Sequence, residues 1–186
     1  TLDSALNDFT GQVTVTSTGS QVSIRDTNQL SMNALTGKLA QSTSITAIAG
    51  TQLVLATENL TTTTGNIEFR SLDGNLTTPG TLTTGSGSVS LYATTSTPGS
   101  ATNGNVQVNQ TITTGSGSVN VVAQKEVNLS KSVISTSGNL LLSGDTITHS
   151  TGSAGAPLML QTGGAGTIGV TASGTGGFVM GQYYSY

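Results

Sequence analysis

The sequence predicts an all-β chain wound as a right-handed parallel β-helix, a β-solenoid of short strands on irregular rungs of about 20 residues. Three observations carry this expectation. Short apolar–x–apolar triplets recur behind glycine along almost the whole chain. One segment repeats nearly verbatim 30 residues downstream, and aromatic residues make up only 4% of the composition.

The repeated segment is Thr81-Leu-Thr-Thr-Gly-Ser-Gly-Ser-Val-Ser-Leu91 against Thr111-Ile-Thr-Thr-Gly-Ser-Gly-Ser-Val-Asn-Val121, nine of eleven positions being identical or exchanging Leu for Ile. Between them, Gly104-Asn-Val-Gln-Val108 has the same turn-then-strand form. Looser copies are Gly11-Gln-Val-Thr-Val15, Gly19-Ser-Gln-Val-Ser-Ile24, Gly50-Thr-Gln-Leu-Val-Leu55, Gly65-Asn-Ile-Glu-Phe69 and Gly138-Asn-Leu-Leu-Leu142. Alternation of apolar and polar residues marks a half-buried strand. The Gly and Asn ahead of each triplet are expected to supply the positive-φ positions of a sharp turn. Residues 1–10 are expected to hold at most one short turn of helix.

Strands of three to five residues, with so few aromatics, do not suit the aromatic-rich core of a Greek-key sandwich. They suit a coil whose rungs pair above and below around a narrow interior of Val, Ile and Leu. Ser and Thr then stack on the outside, where hydroxyls need no charged partner. Rungs of about 20 residues predict roughly nine coils, and ~4.8 Å per rung predicts a length on the order of 40–45 Å. The solenoid is expected over 1–170, followed over 171–186 by a Gly/Tyr-rich tail or the start of another region.

Composition narrows the function classes. Charged residues are 7% of the chain, whereas about 25% is usual. A disordered Ser/Thr/Gly linker shares that profile, but recurrent Val, Ile and Leu and a net charge of only −3 argue for a packed core. The five cations, Arg25, Lys38, Arg70, Lys125 and Lys131, are scattered and make no footprint for nucleic acid or anionic lipid. No run of 18 apolar residues spans a membrane. The absence of Cys removes disulfides and thiolate metal sites. With Thr at position 1 and no signal-like opening, the sequence reads as an internal or processed piece of something longer.

Ala5-Leu-Asn-Asp-Phe-Thr-Gly-Gln-Val-Thr-Val15, then Val22-Ser-Ile-Arg-Asp26 and Leu30, resemble the repeats of filamentous-haemagglutinin-type exoproteins. The Thr-Thr-Gly-Ser-Gly-Ser-Val units and Gly138-Asn-Leu-Leu-Leu-Ser-Gly144 are similar to the same repeats, and the resemblance runs to about residue 170. These are long adhesins that Gram-negative bacteria export by two-partner secretion. The resemblance implies a right-handed parallel β-helical shaft acting as a rigid spacer. The family's N-terminal secretion motifs do not occur here, so the segment would be shaft rather than export signal.

Residues able to do chemistry are sparse. His149, in Thr146-Ile-Thr-His-Ser150, is the only imidazole and is expected on a solvent-facing strand or turn. Without a second base a Ser/His triad has no frame, and no Gly-x-Ser-x-Gly elbow sits before a helix. The carboxylates Asp3, Asp8, Asp26, Glu58, Glu68, Asp73, Glu126 and Asp145 lie mostly far apart, as exposed acids do. Two pairs, Asp8 with Asp26 and Glu126 with Asp145, are one rung apart and are expected near each other, the arrangement a solenoid glycosidase or lyase uses. The sequons at Asn59, Asn75, Asn109 and Asn128 are weak glycan-acceptor candidates. Thr-x-Thr runs recur, but their irregular spacing argues against a flat ice-binding face. No catalytic, cofactor-binding or metal-binding residue is expected.

Three of the four tyrosines, Tyr183, Tyr184 and Tyr186, close the chain and read either as an interface or as an end cap. Open solenoid ends invite stacking, because a terminal rung carries unpaired strand edges. The expectation is therefore a non-enzymatic structural or adhesive shaft, secreted or on the bacterial cell surface. Its partners would be a receptor or glycan on a host or neighbouring cell, or copies of itself end to end, with no nucleic acid and no membrane span. A self-assembling fibre or sheath subunit is the alternative, and a carbohydrate-active solenoid enzyme the third reading.

Overall fold

The structure is a computed structural model and describes residues 2–16, 21–36, 44–55, 57, 59–78, 80–94, 104–150 and 159–180. Short strands follow one another as β1 (Val13–Thr16), β2 (Val22–Asp26), β3 (Leu30–Thr36), β4 (Ile45–Ala49), β5 (Leu53–Val54) and β6 (Leu60–Thr62). Then come β7 (Ile67–Ser71), β8 (Leu76–Thr78), β9 (Leu82–Thr84), β10 (Val89–Ala93), β11 (Val106–Val108) and β12 (Ile112–Thr114). The last six are β13 (Val119–Ala123), β14 (Glu126–Leu129), β15 (Val133–Ser135), β16 (Leu140–His149), β17 (Leu160–Thr162) and β18 (Ile168–Met180). Every pairing between them is parallel.

The pairings resolve into three faces, so the chain is a three-sided parallel β-solenoid. The first face stacks β2, β4, β7, β10, β13 and the leading halves of β16 and β18. The second stacks β1, β3, β5, β8, β11, β14 and the trailing halves of β16 and β18. The third stacks β6, β9, β12, β15 and β17. In β16 and β18 the strand runs on around the corner between the first two faces. Parallel strands joined by crossovers almost always wind right-handed, the sense expected from the sequence.

Along the first face, Val22, Ile45, Ile67, Val89, Val119, Leu140 and Ile168 lie in one column, separated by 23, 22, 22, 30, 21 and 28 residues. Leu2 bridges Ile24 as one further level. The described residues thus make eight levels rather than nine, about 34 Å at ~4.8 Å each, because most coils are longer than 20 residues. The surplus in the two longest coils falls between β10 and β11 and between β16 and β17, and among the described pairings the register shifts at Val13/Thr14 and at Gly144/Thr146. The verbatim repeat is one such coil: Leu82 pairs with Ile112 and Val89 with Val119. At the expected boundary near residue 170 the ladder does not stop, since Thr146 to His149 pair with Gly177 to Met180. The expected helical turn near the N-terminus is a hydrogen-bonded turn, Asn7 N–H donating to Ser4 O over 3.2 Å.

Inside, each five-residue strand of the first face turns its odd positions inward, as in β7 where Ile67, Phe69 and Ser71 are buried. The last of the three is small in β4, β7, β10 and β13, as Ala49, Ser71, Ala93 and Ala123, and is Asp26 in β2.

The corner from the third face to the first explains the repeat motif. Buried Thr62, Thr84 and Thr114 each donate to the carbonyl of the glycine three residues on, Gly65, Gly87 and Gly117, over 2.6 Å for the last. One coil later Ser135 donates to Gly117 O (3.0 Å) and accepts from Gly138 N–H (2.8 Å). On the outside a second ladder satisfies strand-opening amides. Asn66 N–H donates to Ser44 Oγ, Ser88 N–H to Asn66 Oδ1, Ser118 N–H to Ser88 Oγ, Asn139 N–H to Ser118 Oγ and Thr167 N–H to Asn139 Oδ1, over 2.9–3.2 Å.

These glycines differ from expectation. Among the described residues only Gly104, Gly164 and Gly177 have positive φ. At Gly87, Gly117 and Gly138 the reason for glycine is close approach, since a Cβ there would lie 1.8–2.2 Å from a carbonyl oxygen of the preceding coil.

Two matched substitutions test the buried hydroxyls. Thr114→Val removes a bonded hydroxyl and is expected to cost about 1–2 kcal/mol. Thr78→Val removes one whose Oγ1 is buried without a partner, and is expected to be neutral or stabilising. Denaturant midpoints of the two variants against the parent check the contrast, and equal shifts would contradict it.

Candidate functional site

Alternation decides which side chains reach solvent, and most that do are Ser, Thr and Asn. Besides Asp8, Phe9, Arg25 and Asp26 on the first coils, charged and aromatic groups gather in two places. On the first face, Glu68, Arg70 and Tyr92 point outward from β7 and β10, where Arg70 pairs with Tyr92 in register. Glu68 Oε1 accepts from Arg70 Nε, and the guanidinium lies 4.2 Å from the Tyr92 ring centroid. Ile48 and Val122 continue this outward ladder on either side. Within this patch Glu68 and Arg70 are paired with each other, and Arg25 lies two levels away on the same outward column.

The second place is the corner between the first and second faces near the C-terminal end. An open groove of about 360 Å³ is lined there by Asn105, Lys125, Glu126, Asp145, Thr146 and Gly174 to Gly176. The sequence expectation that Glu126 and Asp145 meet on neighbouring coils is met. Between them lies Lys125, whose Nζ is 3.8 Å from Asp145 Oδ2, while Ser173 Oγ donates to Asp145 Oδ1 over 3.0 Å. Asn128 Nδ2 donates to Glu126 Oε1 over 3.4 Å. The groove thus presents carboxylate acceptors beside one ammonium, Asp145 being engaged by Lys125 and Ser173 and Glu126 by Asn128.

Asp8 and Asp26 also come together, through Asn28: its Nδ2 donates to Asp8 Oδ1 (3.0 Å) and its N–H to Asp26 Oδ1 (2.9 Å). Asp26 is not an exposed acid, however. It is buried at the foot of the small-residue corner ladder, and its second oxygen accepts from Phe9 N–H over 3.0 Å. This carboxylate staples the first coil to the second. His149 corrects expectation in the same way, being only 4% exposed, with Nε2 lacking a partner. Burial lowers its proton affinity below the ordinary value of 6.5. Both residues share the parity of neighbouring core residues, Ile24 for Asp26 and Ile147 for His149, and that parity was the signal available in the sequence.

Of the glycan-acceptor candidates, Asn59 and Asn75 open strands and serve as ladder acceptors, taking Thr81 N–H and Asn105 N–H over 3.0 Å each. Asn109 is exposed between β11 and β12, and Asn128 is half-buried within β14. Tyr183, Tyr184 and Tyr186, together with Glu58, lie outside the described residues. On the third face Thr81 and Thr83 sit directly beneath Thr111 and Thr113, so the irregular spacing in sequence becomes a regular array, which Ile134 interrupts one coil later.

Among the described residues no three His, Asp or Glu side chains gather as a metal site, and no helix is long and apolar enough to cross a membrane. Comparison with protein-family models, curated proteins and solved structures finds no match.

Proposed function

We propose that the chain is a rigid, non-enzymatic shaft segment of a secreted or cell-surface bacterial protein, of the filamentous-haemagglutinin type its repeats resemble. One observation carries this reading: the first two faces continue through eight levels and the third through five, although coil length varies from 21 to 30 residues. Strands on either side of the extra residues in the two longest coils still pair in the same ladders, which keeps each ladder continuous. A continuous ladder resists bending, because bending it breaks parallel hydrogen bonds on one face and crowds side chains on another. The outer surface supports the same reading, since Ser and Asn ladders satisfy strand-opening amides without charged groups. Adhesion would fall to the Glu68–Arg70–Tyr92 patch, because Arg and Tyr dominate protein contact energies. Its partner would be a receptor or glycan on another cell.

The acids lining one groove favour a second reading, a carbohydrate-active solenoid, and a self-assembling fibre is the third. Electron microscopy and sedimentation of the purified chain over a hundredfold concentration range, with a polysaccharide-turnover panel, separate the three. Short single rods at every concentration, with no turnover, are expected for the shaft. Filaments that lengthen with concentration would replace it with the fibre. Turnover abolished by Glu126→Gln or Asp145→Asn would replace it with the enzyme.

A further inference from the structure

We propose that His149 is an acid-sensitive latch, whose protonation inside the solenoid releases the coil formed by β18 from β16. The argument starts from position. His149 ends β16 on the second face and points inward, stacked on Leu129 of β14 on one side and paired in register with residue 180 of β18 on the other. It is the only histidine in the chain.

Among the described residues, nothing that faces it balances a positive charge. β14 turns Val127 and Leu129 inward and keeps Glu126 half-buried on the outer side. Its own strand turns Ile147 inward, and Asp145 is outside, engaged with Lys125. β15, β17 and β18 contain no titratable residue, and Lys131, on the turn after β14, is exposed and itself cationic. A neutral imidazole there already leaves Nε2 unsatisfied. A protonated one adds charge and a second donor where water is excluded, which is far costlier.

The neighbouring coil is the one able to yield. β18 is the last described strand of its faces, and its inward residues Ile168 and Phe178 remain 44% and 36% exposed. A coil whose inward side chains are only partly covered opens more cheaply than one packed on both sides. The sign follows. With the coil closed, His149 binds a proton less readily than the ordinary 6.5. With it open, the ring is solvated and titrates normally. Opening therefore takes up one proton. The stabilising contribution is complete above about pH 6.5 and falls as pH drops below it. The fall levels off once pH passes the lowered value of the closed state.

Hydrogen–deuterium exchange of the full chain between pH 8 and pH 5, corrected for intrinsic exchange, tests the latch. Below about pH 6.5, protection over 168–180 is expected to fall by as much as tenfold per pH unit, while β7, β10 and β13 hold theirs. His149→Leu is expected to abolish that pH dependence and raise protection of the same segment. A ring titration of the unsubstituted protein by NMR gives a second reading that does not depend on the variant folding. A midpoint at or above 6.5, or equal acid loss in His149→Leu, would overturn the proposal.

Discussion

Gly117→Ala is expected to cost about 3 kcal/mol or more, lowering the melting temperature by roughly 6–12 °C for a chain of this size. The new Cβ would lie 1.8 Å from Gly87 O and 2.4 Å from Gly87 C, both backbone atoms that cannot rotate aside. Only separation of the coils relieves that clash. Separation stretches Ser116 N–H to Gly85 O and Ser137 N–H to Gly115 O, each 3.0 Å, which tie the same corners together. It also displaces the Gly117 carbonyl from the hydroxyls of Thr114 and Ser135. Gly11→Ala is the control, because a Cβ there meets nothing within 4 Å, and a change within about 0.5 kcal/mol is expected. Melting curves of the two variants read the difference directly. If Gly117→Ala melts within about 2 °C of the parent, the coils are not in the close contact described.

The architecture was legible because its two determinants are local. The apolar–x–apolar triplet fixes which side of a strand is inside, and the repeat fixes one coil against the next, as the pairing of Val89 with Val119 shows. What escaped was the reason for each small residue. Thr-x-x-Gly-Ser-Val reads as a polar turn, yet Thr114 is fully buried and Gly117 is a contact point. Composition alone cannot separate a hydroxyl that faces water from one that caps a carbonyl inside. Asp26 and His149 escaped because polar side chains were assigned outward by residue type, although the alternation of Val22-Ser-Ile-Arg-Asp26 and Ile147-Thr-His149 places both inward. The Arg70–Tyr92 contact had a weaker signal. The two residues are 22 apart, one coil, and coil length was not fixed by the sequence closely enough to stack them.

Phe69→Ala is expected to cost about 3–5 kcal/mol, the range for emptying a buried aromatic site. Phe69 is fully buried and is among the largest side chains in the interior. The inward column runs Ile24, Ala47, Phe69, Leu91, Val121 and Leu142, so the ring sits above the smallest member and beneath a leucine. Large beside small is how a narrow interior reaches close packing, with the ring filling volume that Ala47 leaves. Truncation therefore leaves a void that Ala47 cannot fill, and the backbone ladders on either side hold the coils too rigidly to collapse into it. Adding Ala47→Phe to Phe69→Ala moves the volume one level down and is expected to recover at least about 1 kcal/mol of the loss. Denaturant unfolding of the two single variants and the double variant measures both terms. A loss near 4 kcal/mol with partial recovery means the interior is packed level against level, as a shaft that must transmit force without buckling requires. A loss under 1 kcal/mol would mean a loosely filled tube, and the stiffness on which the proposed role depends would have no physical basis in this chain.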